Sequence, residues 1–141
     1  MSIWFAPFSL AELRRTREVG LAQRLGIEFT AFGDDWLAAT MPVDHRSHQP
    51  MGLLHGGASF TLAETVAGGA AELCVDRARF RCVGQDINGN HVRGVAAGLV
   101  TATARPHHIG ARSHVWQVEI RDPATRLVCI ARLTLAVVAV A

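Results

Sequence analysis

The sequence contains no lysine, and all 14 of its basic residues are arginine. This absence excludes Schiff-base chemistry at a lysine and the phosphate-binding lysine of a P-loop. The arginines are balanced by 12 acidic residues, so the formal net charge is only +2. A nucleic-acid-binding protein needs a strong excess of basic residues. We therefore expect no nucleic-acid partner.

Long hydrophobic runs are also missing, and none approaches the ~18 residues that a membrane span requires. The N-terminal ten residues carry no basic leader, and Pro7 interrupts their apolar stretch, which argues against a signal peptide. Cysteine is scarce, and Cys74, Cys82 and Cys129 show no C-x-x-C spacing. Their apolar neighbours favour buried, reduced thiols over a disulfide or a metal site. We expect a cytoplasmic protein with no membrane partner.

Several motifs of common enzymes are absent. No G-x-G-x-x-G occurs, which argues against a nicotinamide cofactor, and no G-x-S-x-G elbow gives Ser59 the context of a triad. His45 and His48, with Asp44 beside them, could suggest a metal site. Their loop placement and the lack of a Cys or Glu ligand at helical spacing argue against one. We expect neither a metal nor a cofactor.

The distribution of apolar residues predicts one α+β domain over residues 1–141. A capping box at Ser9 and Glu12 predicts a first helix from Leu10 to Arg24. Residues 57–75 are Ala-rich and apolar nearly all round, which predicts a long buried helix. An antiparallel sheet joined by short turns should wrap around that helix. The predicted strands are Ile27–Phe32, Trp36–Met41, Cys82–Val92, Leu99–Arg105, His114–Arg121 and Leu127–Val138.

The start of the long helix is the most informative segment, with Gly56 and Gly57 after His55. A helix that begins with two glycines leaves backbone N–H groups free at the positive end of its dipole, where they can hold a phosphate or a developing oxyanion. Glu64 follows in the middle of the same apolar helix. A buried Glu is rare unless it is paired, so Glu64 is either a catalytic carboxylate or the partner of an arginine such as Arg93 or Arg112.

Helix geometry separates these groups. Gly56 and Glu64 are eight residues apart, which is about 12 Å along one helix. One carbonyl group cannot lie within hydrogen-bond reach of both. If both act on one substrate, they come from two subunits whose helices run antiparallel across a two-fold interface.

Four stretches, MPVDHRSHQPMGLLHGGASFTLAET, QDINGNHVRG, RPHHIGARSHVWQVEI and RLVCIARLT, carry a resemblance to a known family. In order and spacing, the chain resembles the hotdog-fold acyl-CoA thioesterases. The similar branch contains 4-hydroxybenzoyl-CoA thioesterase and 1,4-dihydroxy-2-naphthoyl-CoA hydrolase, within the superfamily of the phenylacetate-pathway thioesterases. The resemblance implies a five- or six-stranded antiparallel sheet around one helix. It also implies homodimers that have two active sites at their interface. Two such dimers would pair into a tetramer.

The resemblance also implies roles for individual residues. Gln49, His55 and Gly56 of one subunit would face Glu64 of the other. The Gly56 amide would polarise the thioester carbonyl, while Gln49 and His55 orient it. Glu64 would act as nucleophile or general base, and the residues leave that choice open.

The substrate is implied to be an acyl-CoA with an aromatic or bulky acyl group, and an acyl-carrier-protein substrate stays open. By resemblance, the coenzyme A contacts are Arg93, His91, Gly110, Ala111 and Arg112, although each arginine could equally be an exposed charge at a strand end. Candidate acyl-pocket residues are Met51, Phe60 and Val83, and Gly68 stands where many relatives have Ser or Thr. His107 and His108 are expected in a surface loop near the coenzyme arm. Two alternatives remain: a non-catalytic acyl-CoA-binding module, and a hydratase or dehydratase on the same fold.

Overall fold

The computed structural model describes residues 1–141 and contains three helices and six strands. None of the helices combines the length and hydropathy needed to cross a membrane. In chain order the elements are α1 (Leu10–Arg15), α2 (Gly20–Leu25), β1 (Glu28–Phe32), β2 (Leu37–Val43), α3 (Gly56–Leu73), β3 (Phe80–His91), β4 (Gly98–Ile109), β5 (Ser113–Arg121) and β6 (Leu127–Ala139).

The N-terminal region differs from the single helix predicted from Leu10 to Arg24. The capping box is present, with the Ser9 side chain accepting from the Glu12 amide and the Glu12 side chain accepting from the Ser9 amide. However, α1 ends at Arg15, and α2 begins only at Gly20, after Val19 in an extended conformation. Gly20 has a φ of 75°, a left-handed conformation that a continuous helix does not contain. The prediction of one helix is therefore wrong.

The six strands form one antiparallel sheet in the order β1-β2-β4-β5-β6-β3, and all six predicted strands are present. The alternation expected for β5 is confirmed, because His114, Trp116, Val118 and Ile120 are buried while their neighbours are only partly buried. The turn predicted at residues 33–35 joins β1 to β2 as an antiparallel pair. Because side chains of a strand alternate between faces, one face of the sheet is apolar and covers α3.

Helix α3 lies across this apolar face and buries a row of mainly small side chains. Ala63, Ala67 and Ala70 are fully buried. At Gly69, a Cβ atom would lie 3.0 Å from the ring of Phe29, so the missing side chain makes room for that ring. Gly68 differs, because no atom lies within 4 Å of the position of its Cβ. The predicted long buried helix is therefore present, although its opposite face, with Gly57 and Glu64, is exposed in the single chain.

Strand β3 forms one edge of the sheet. It has 12 residues and pairs only with β6, so its other edge has no partner strand in the chain. Most of its residues are exposed, and a bulge interrupts its register between Gly84 and Asp86. A long unpaired edge is a ready site for pairing with another strand.

We predict that Gly89→Ala destabilises the protein by about 1–3 kcal/mol, the usual cost of overpacking. Gly89 lies opposite Ala131 in the β3–β6 pair, and a Cβ atom there would contact the Ile130 carbonyl oxygen and lie 2.9 Å from the Ala131 Cα. Backbone atoms of a paired strand cannot move aside as a side chain end can. The measurement is urea unfolding at one protein concentration, with Asn90→Ala as the control on the same strand. Equal stability of the two variants would contradict the prediction.

Candidate active site

A tightly bonded loop before α3 sets the start of the helix. The Gln49 amide donates to the Leu53 carbonyl oxygen at 2.8 Å, and the Gly52 amide donates back to Gln49 at 2.9 Å. The His55 amide donates to the Ser47 carbonyl oxygen at 2.7 Å. Gly52 has a φ of 77°, which favours glycine at this turn. The loop therefore places Gln49 beside the same pocket as Gly56, at the N-terminus of α3.

His55 is the N-cap of α3. Its Nδ1 accepts a hydrogen bond from the Gly57 amide at 2.8 Å. In the neutral imidazole the proton therefore lies on Nε2, which is free to donate. The Gly56 amide donates no hydrogen bond within the chain. Two donors thus stand at the positive end of the helix dipole, where an oxygen that gains negative charge is stabilised.

A pocket of about 400 Å³ opens beside this helix end. It brings together four of the predicted site residues, which are Gln49, Gly56, His91 and Arg93. The His91 ring stacks on Phe60 with centroids 5.0 Å apart, and its Nε2 lies 2.6 Å from the position of a Cβ at Gly56. A side chain at Gly56 would therefore push the His91 ring out of this position.

Glu64 lies two turns further along α3 and is exposed, so the expectation that it is buried is wrong for the single chain. Its Oε1 lies 2.6 Å from the position of a Cβ at Gly84, which places the carboxylate against the exposed strand β3. No ion pair joins Glu64 to Arg93 or Arg112. The alternative in which Glu64 is the structural partner of one of these arginines is therefore not observed. Because α3 is one continuous helix from Gly56, Gly56 and Glu64 remain about 12 Å apart along it.

The other expected substrate contacts do not lie at the first pocket. Gly110, Ala111 and Arg112 form the β4–β5 turn, closed by a 2.9 Å hydrogen bond from the Gly110 amide to the Ser113 carbonyl oxygen. Gly110 and Ala111 border a second pocket, together with Cys74 at the C-terminus of α3. Cys74 is 18 residues beyond Gly56, or about 27 Å along the helix. Within one chain, this turn is therefore remote from Arg93 and His91.

The remaining candidates lie on the surface. Met51 and Val83 are 80% and 50% exposed and do not line the first pocket. His107 and His108 belong to strand β4 rather than to a loop, because β4 continues beyond Arg105 to Ile109, so that prediction is wrong.

Sequence reasoning missed residues in both pockets. Ser59 is buried and lines the first pocket, one helical turn after Gly56, a spacing that could have indicated it. Phe5 and Arg79 line the second pocket, and nothing in their local sequence indicates this. His114 lines the second pocket as well. The sequence could have indicated it, because His114 is a polar residue at one of the alternating positions of β5 whose side chains are buried.

The cysteines are poor nucleophiles. Burial raises the pKa of Cys74 to about 12 and the pKa of Cys82 to about 11. Burial likewise raises the pKa of Cys129 to about 11. All three are free thiols, although Cys74 and Cys82 are only half-buried. No three His, Cys, Asp or Glu side chains are grouped so that they could hold a metal ion.

His114 is 1% exposed, and its Nδ1 has no hydrogen-bond partner. Burial, with a smaller contribution from His108, lowers the pKa of the His114 imidazole. The ring is therefore neutral near neutral pH, because burial penalises the charged form.

We predict that the free energy of unfolding falls as the pH drops below about 6.5, the pKa of a histidine in the unfolded chain. Below that pH the unfolded state binds a proton that folded His114 does not, so protons favour unfolding. The measurement is urea unfolding across this pH range for the wild type and His114→Gln. The variant should lose part of the pH dependence, and His45→Gln, an exposed control, should lose none.

Comparison with known proteins agrees with this architecture. The profile of the thioesterase superfamily matches residues 51–129. A glutamine-to-alanine variant of the thioesterase PA1618 from Pseudomonas aeruginosa superposes with a TM-score of 0.97 and 46% identity, covering 99% of this chain and 100% of that one. The thioesterase HI1161 from Haemophilus influenzae superposes with a TM-score of 0.94 and 47% identity, covering 97% and 95%. The 1,4-dihydroxy-2-naphthoyl-CoA hydrolase of Escherichia coli is 46% identical over 135 residues, which are 96% of this chain and 98% of that protein.

These likenesses confirm the hotdog fold, with its antiparallel sheet around one long helix, that the sequence predicted. The alignments cover nearly all of this chain and of each relative. Their sequence identities, 46% in both cases, are high enough to show membership of a family and not only a shared fold. The chain therefore belongs to the thioesterase superfamily, and it is a thioester hydrolase.

Proposed function

We propose that the protein hydrolyses an acyl-CoA with an aromatic or bulky acyl group, at active sites shared by two subunits of a homodimer. The observation that carries this proposal is the free Gly56 amide beside an open pocket, with Glu64 about 12 Å away on the same helix. One chain cannot bring both groups to one carbonyl. Antiparallel pairing of two α3 helices supplies each carbonyl with Gly56 from one subunit and Glu64 from the other.

Two uncovered surfaces support such a dimer. The outer face of α3 carries Glu64 and Gly68, and the neighbouring edge of β3 has no partner strand. A two-fold axis that pairs β3 with its copy would extend the sheet and cover both helices. The carboxylate of Glu64, which lies against β3, would then become buried at the interface. By family resemblance, two such dimers form a tetramer.

The reaction needs only groups of the chain and water. The Gly56 amide donates to the thioester carbonyl oxygen, with Gln49 and the Nε2–H of His55 beside it, and stabilises the charge that develops there. Glu64 of the other subunit either takes a proton from the attacking water or attacks the carbonyl carbon itself. The carbon–sulfur bond then breaks, and coenzyme A leaves as the thiolate and takes up a proton. Where Glu64 itself has attacked, the acyl group is left on its carboxylate as an anhydride, which water then hydrolyses to the free acid and the regenerated carboxylate. No metal or cofactor takes part in this scheme.

The acyl group is proposed to be aromatic or bulky because of the space near Glu64. Gly68 lies one turn beyond Glu64, with no atom within 4 Å of its Cβ position, so the helix leaves room there. The relative from Escherichia coli is named for a naphthoyl thioester, which is a bulky aromatic group. Phe60, partly buried against the core and stacked on His91, offers an aromatic wall near the carbonyl site.

We predict that Glu64→Gln lowers kcat by at least ~10² with little change in KM, since a general base or nucleophile is lost while the shape is kept. The assay measures thiol release from benzoyl-, phenylacetyl-, naphthoyl- and medium-chain acyl-CoA. Glu72→Gln is the matched control, because Glu72 lies on the same helix and accepts from the Cys82 amide, as a glutamine also can. Unchanged turnover in Glu64→Gln would refute the assignment. Tight binding without thiol release, or a product changed by the mass of water, would show a binding module or a hydratase instead.

A second prediction tests the shared site. Glu64→Gln and Gln49→Ala chains, each inactive alone, should regain activity when they are unfolded together and refolded as a mixture. Random pairing gives mixed dimers in about half of the population, and each has one intact site, so about a quarter of wild-type activity should return. If each chain contained its own complete site, mixing would restore nothing. Refolded wild type provides the reference.

A further inference from the structure

Gly84 lies where strand β3 passes the carboxylate of Glu64. The atom nearest to the position that a Cβ would take at Gly84 is the Glu64 Oε1, at 2.6 Å. The next atoms, the Glu64 Cδ and the Leu133 Cδ1, lie at 3.7 and 3.8 Å, which is ordinary van der Waals contact. The carboxylate oxygen is therefore the one atom that occupies the space a side chain at Gly84 would need.

The backbone of Gly84 does not itself require glycine. Gly84 is not among the four glycines of the chain that have a positive φ. It pairs with Leu135 of β6 in the antiparallel ladder, where extended backbone accepts any residue. A glycine inside a strand weakens the strand, and it often marks a place where another group approaches closely. At Gly84 the approaching group is the Glu64 side chain.

The bulge in β3 decides which residues of the strand face α3. Residues directly opposite each other in an antiparallel pair share a face of the sheet. Gly84 is opposite Leu135, and Leu135 belongs to the core. His91 is opposite Cys129, which belongs to the core as well. Gly84 and His91 thus face the same side although they are seven residues apart, an odd separation that the register shift between Gly84 and Asp86 makes possible.

Without the bulge, a larger side chain would meet the carboxylate. In a regular strand that still turned His91 toward α3, Val83 and Gln85 would point the same way. Gly84 would then point away from the helix, and a side chain would fill the space that Glu64 uses. Bulges are common next to active sites, where they change the direction of a side chain. Here the bulge brings the one glycine of residues 80–88 to the carboxylate.

We propose that Gly84 is a positioning residue, which acts on the reaction by giving the Glu64 carboxylate a fixed place against β3. This inference rests on the proposed function, in which Glu64 activates water or attacks the carbonyl carbon. No ion pair holds this carboxylate within the chain, so its orientation there depends on packing against the strand. A strand backbone suits this role, because reacting groups supported by rigid elements keep their geometry more precisely than groups on loops.

Gly84→Ala tests this role with a single methyl group. A carbon–oxygen contact needs roughly 3.5 Å, so the carboxylate oxygen would have to move by about 1 Å. A misplacement of that size can cost a factor of ~10² in rate. We therefore expect kcat to fall by a factor of at least ~10 with little change in KM, measured as thiol release from the coenzyme A thioester that the wild type hydrolyses fastest. Asn88→Ala, at an exposed position of the same strand, should change neither kcat nor KM.

Urea unfolding separates displacement of the carboxylate from damage to the fold. The methyl group of Gly84→Ala meets the end of a flexible side chain, whereas that of Gly89→Ala meets the backbone of β6. The unfolding midpoint of Gly84→Ala should therefore not fall below that of the wild type. A fall as large as that of Gly89→Ala would contradict the inference, because the methyl group would then be displacing the sheet.

A double-mutant cycle shows whether Gly84 acts through the carboxylate. In Glu64→Gln the methyl group has no catalytic carboxylate to displace, so adding Gly84→Ala should leave the residual kcat unchanged. A further fall by the factor seen in the wild-type background would overturn the inference, because the methyl group would then act on another group. A rise in KM at unchanged kcat would overturn it too, since Gly84 would then contact the substrate itself.

The outcomes distinguish this inference from the proposed function. If Gly84→Ala is fully active while Glu64→Gln is impaired, the role of Gly84 is refuted, and hydrolysis with Glu64 stands. If the wild type hydrolyses no acyl-CoA thioester, or if Glu64→Gln is as active as the wild type, the proposed function itself is refuted. A low kcat in Gly84→Ala, with normal stability and no additional effect in Glu64→Gln, is the result that supports the positioning role.

Discussion

The packing of α3 against the sheet is the constraint on which the other features depend. Its inner face is made of small side chains such as Ala63, Ala67 and Ala70, so the helix lies close to the strands and its rotation about its own axis is fixed. That rotation turns Glu64 and Gly68 outward. The helical rise then fixes the distance between Gly56 and Glu64, which no side-chain movement can close. The second subunit of the proposed active site follows from this geometry.

The exposure of Glu64 follows from the same packing. A single layer of sheet covers only one side of a helix, and a carboxylate on the other side stays hydrated at little cost. In the proposed dimer, the same carboxylate would lie between two helices and two β3 strands. Removing water there disfavours the charged form and strengthens each hydrogen bond to the substrate. Dimerisation would thus change the chemistry of Glu64 as well as its position.

The features that could be predicted from the sequence are local ones. The capping box at Ser9 and the alternation of β5 depend on neighbours within a few residues, and both are observed. The break at Gly20 was missed because a glycine inside a helix costs only about 1 kcal/mol relative to alanine, too little to decide against a continuous helix. The placement of the turn at Gly110 could not be predicted, because it depends on the order of the strands in the sheet. The outward position of Glu64 could not be predicted either, because it depends on how α3 is rotated against the sheet.

The absence of lysine has a structural counterpart in how the arginines are used. Arg17 lies over the ring of Phe29, Arg79 over Phe80 and Arg105 over Trp36. Such stacking uses the flat face of the guanidinium and leaves its N–H groups at the edge free to bind an oxygen anion, which the compact ammonium of lysine cannot do in the same way. Burial lowers the pKa of the half-buried Arg17, yet a guanidinium stays charged because its ordinary pKa is so high. An arginine stacked at the rim of a pocket is therefore both a flat wall for a ring and a permanent positive charge for a phosphate. Arg79 has this arrangement beside Phe80.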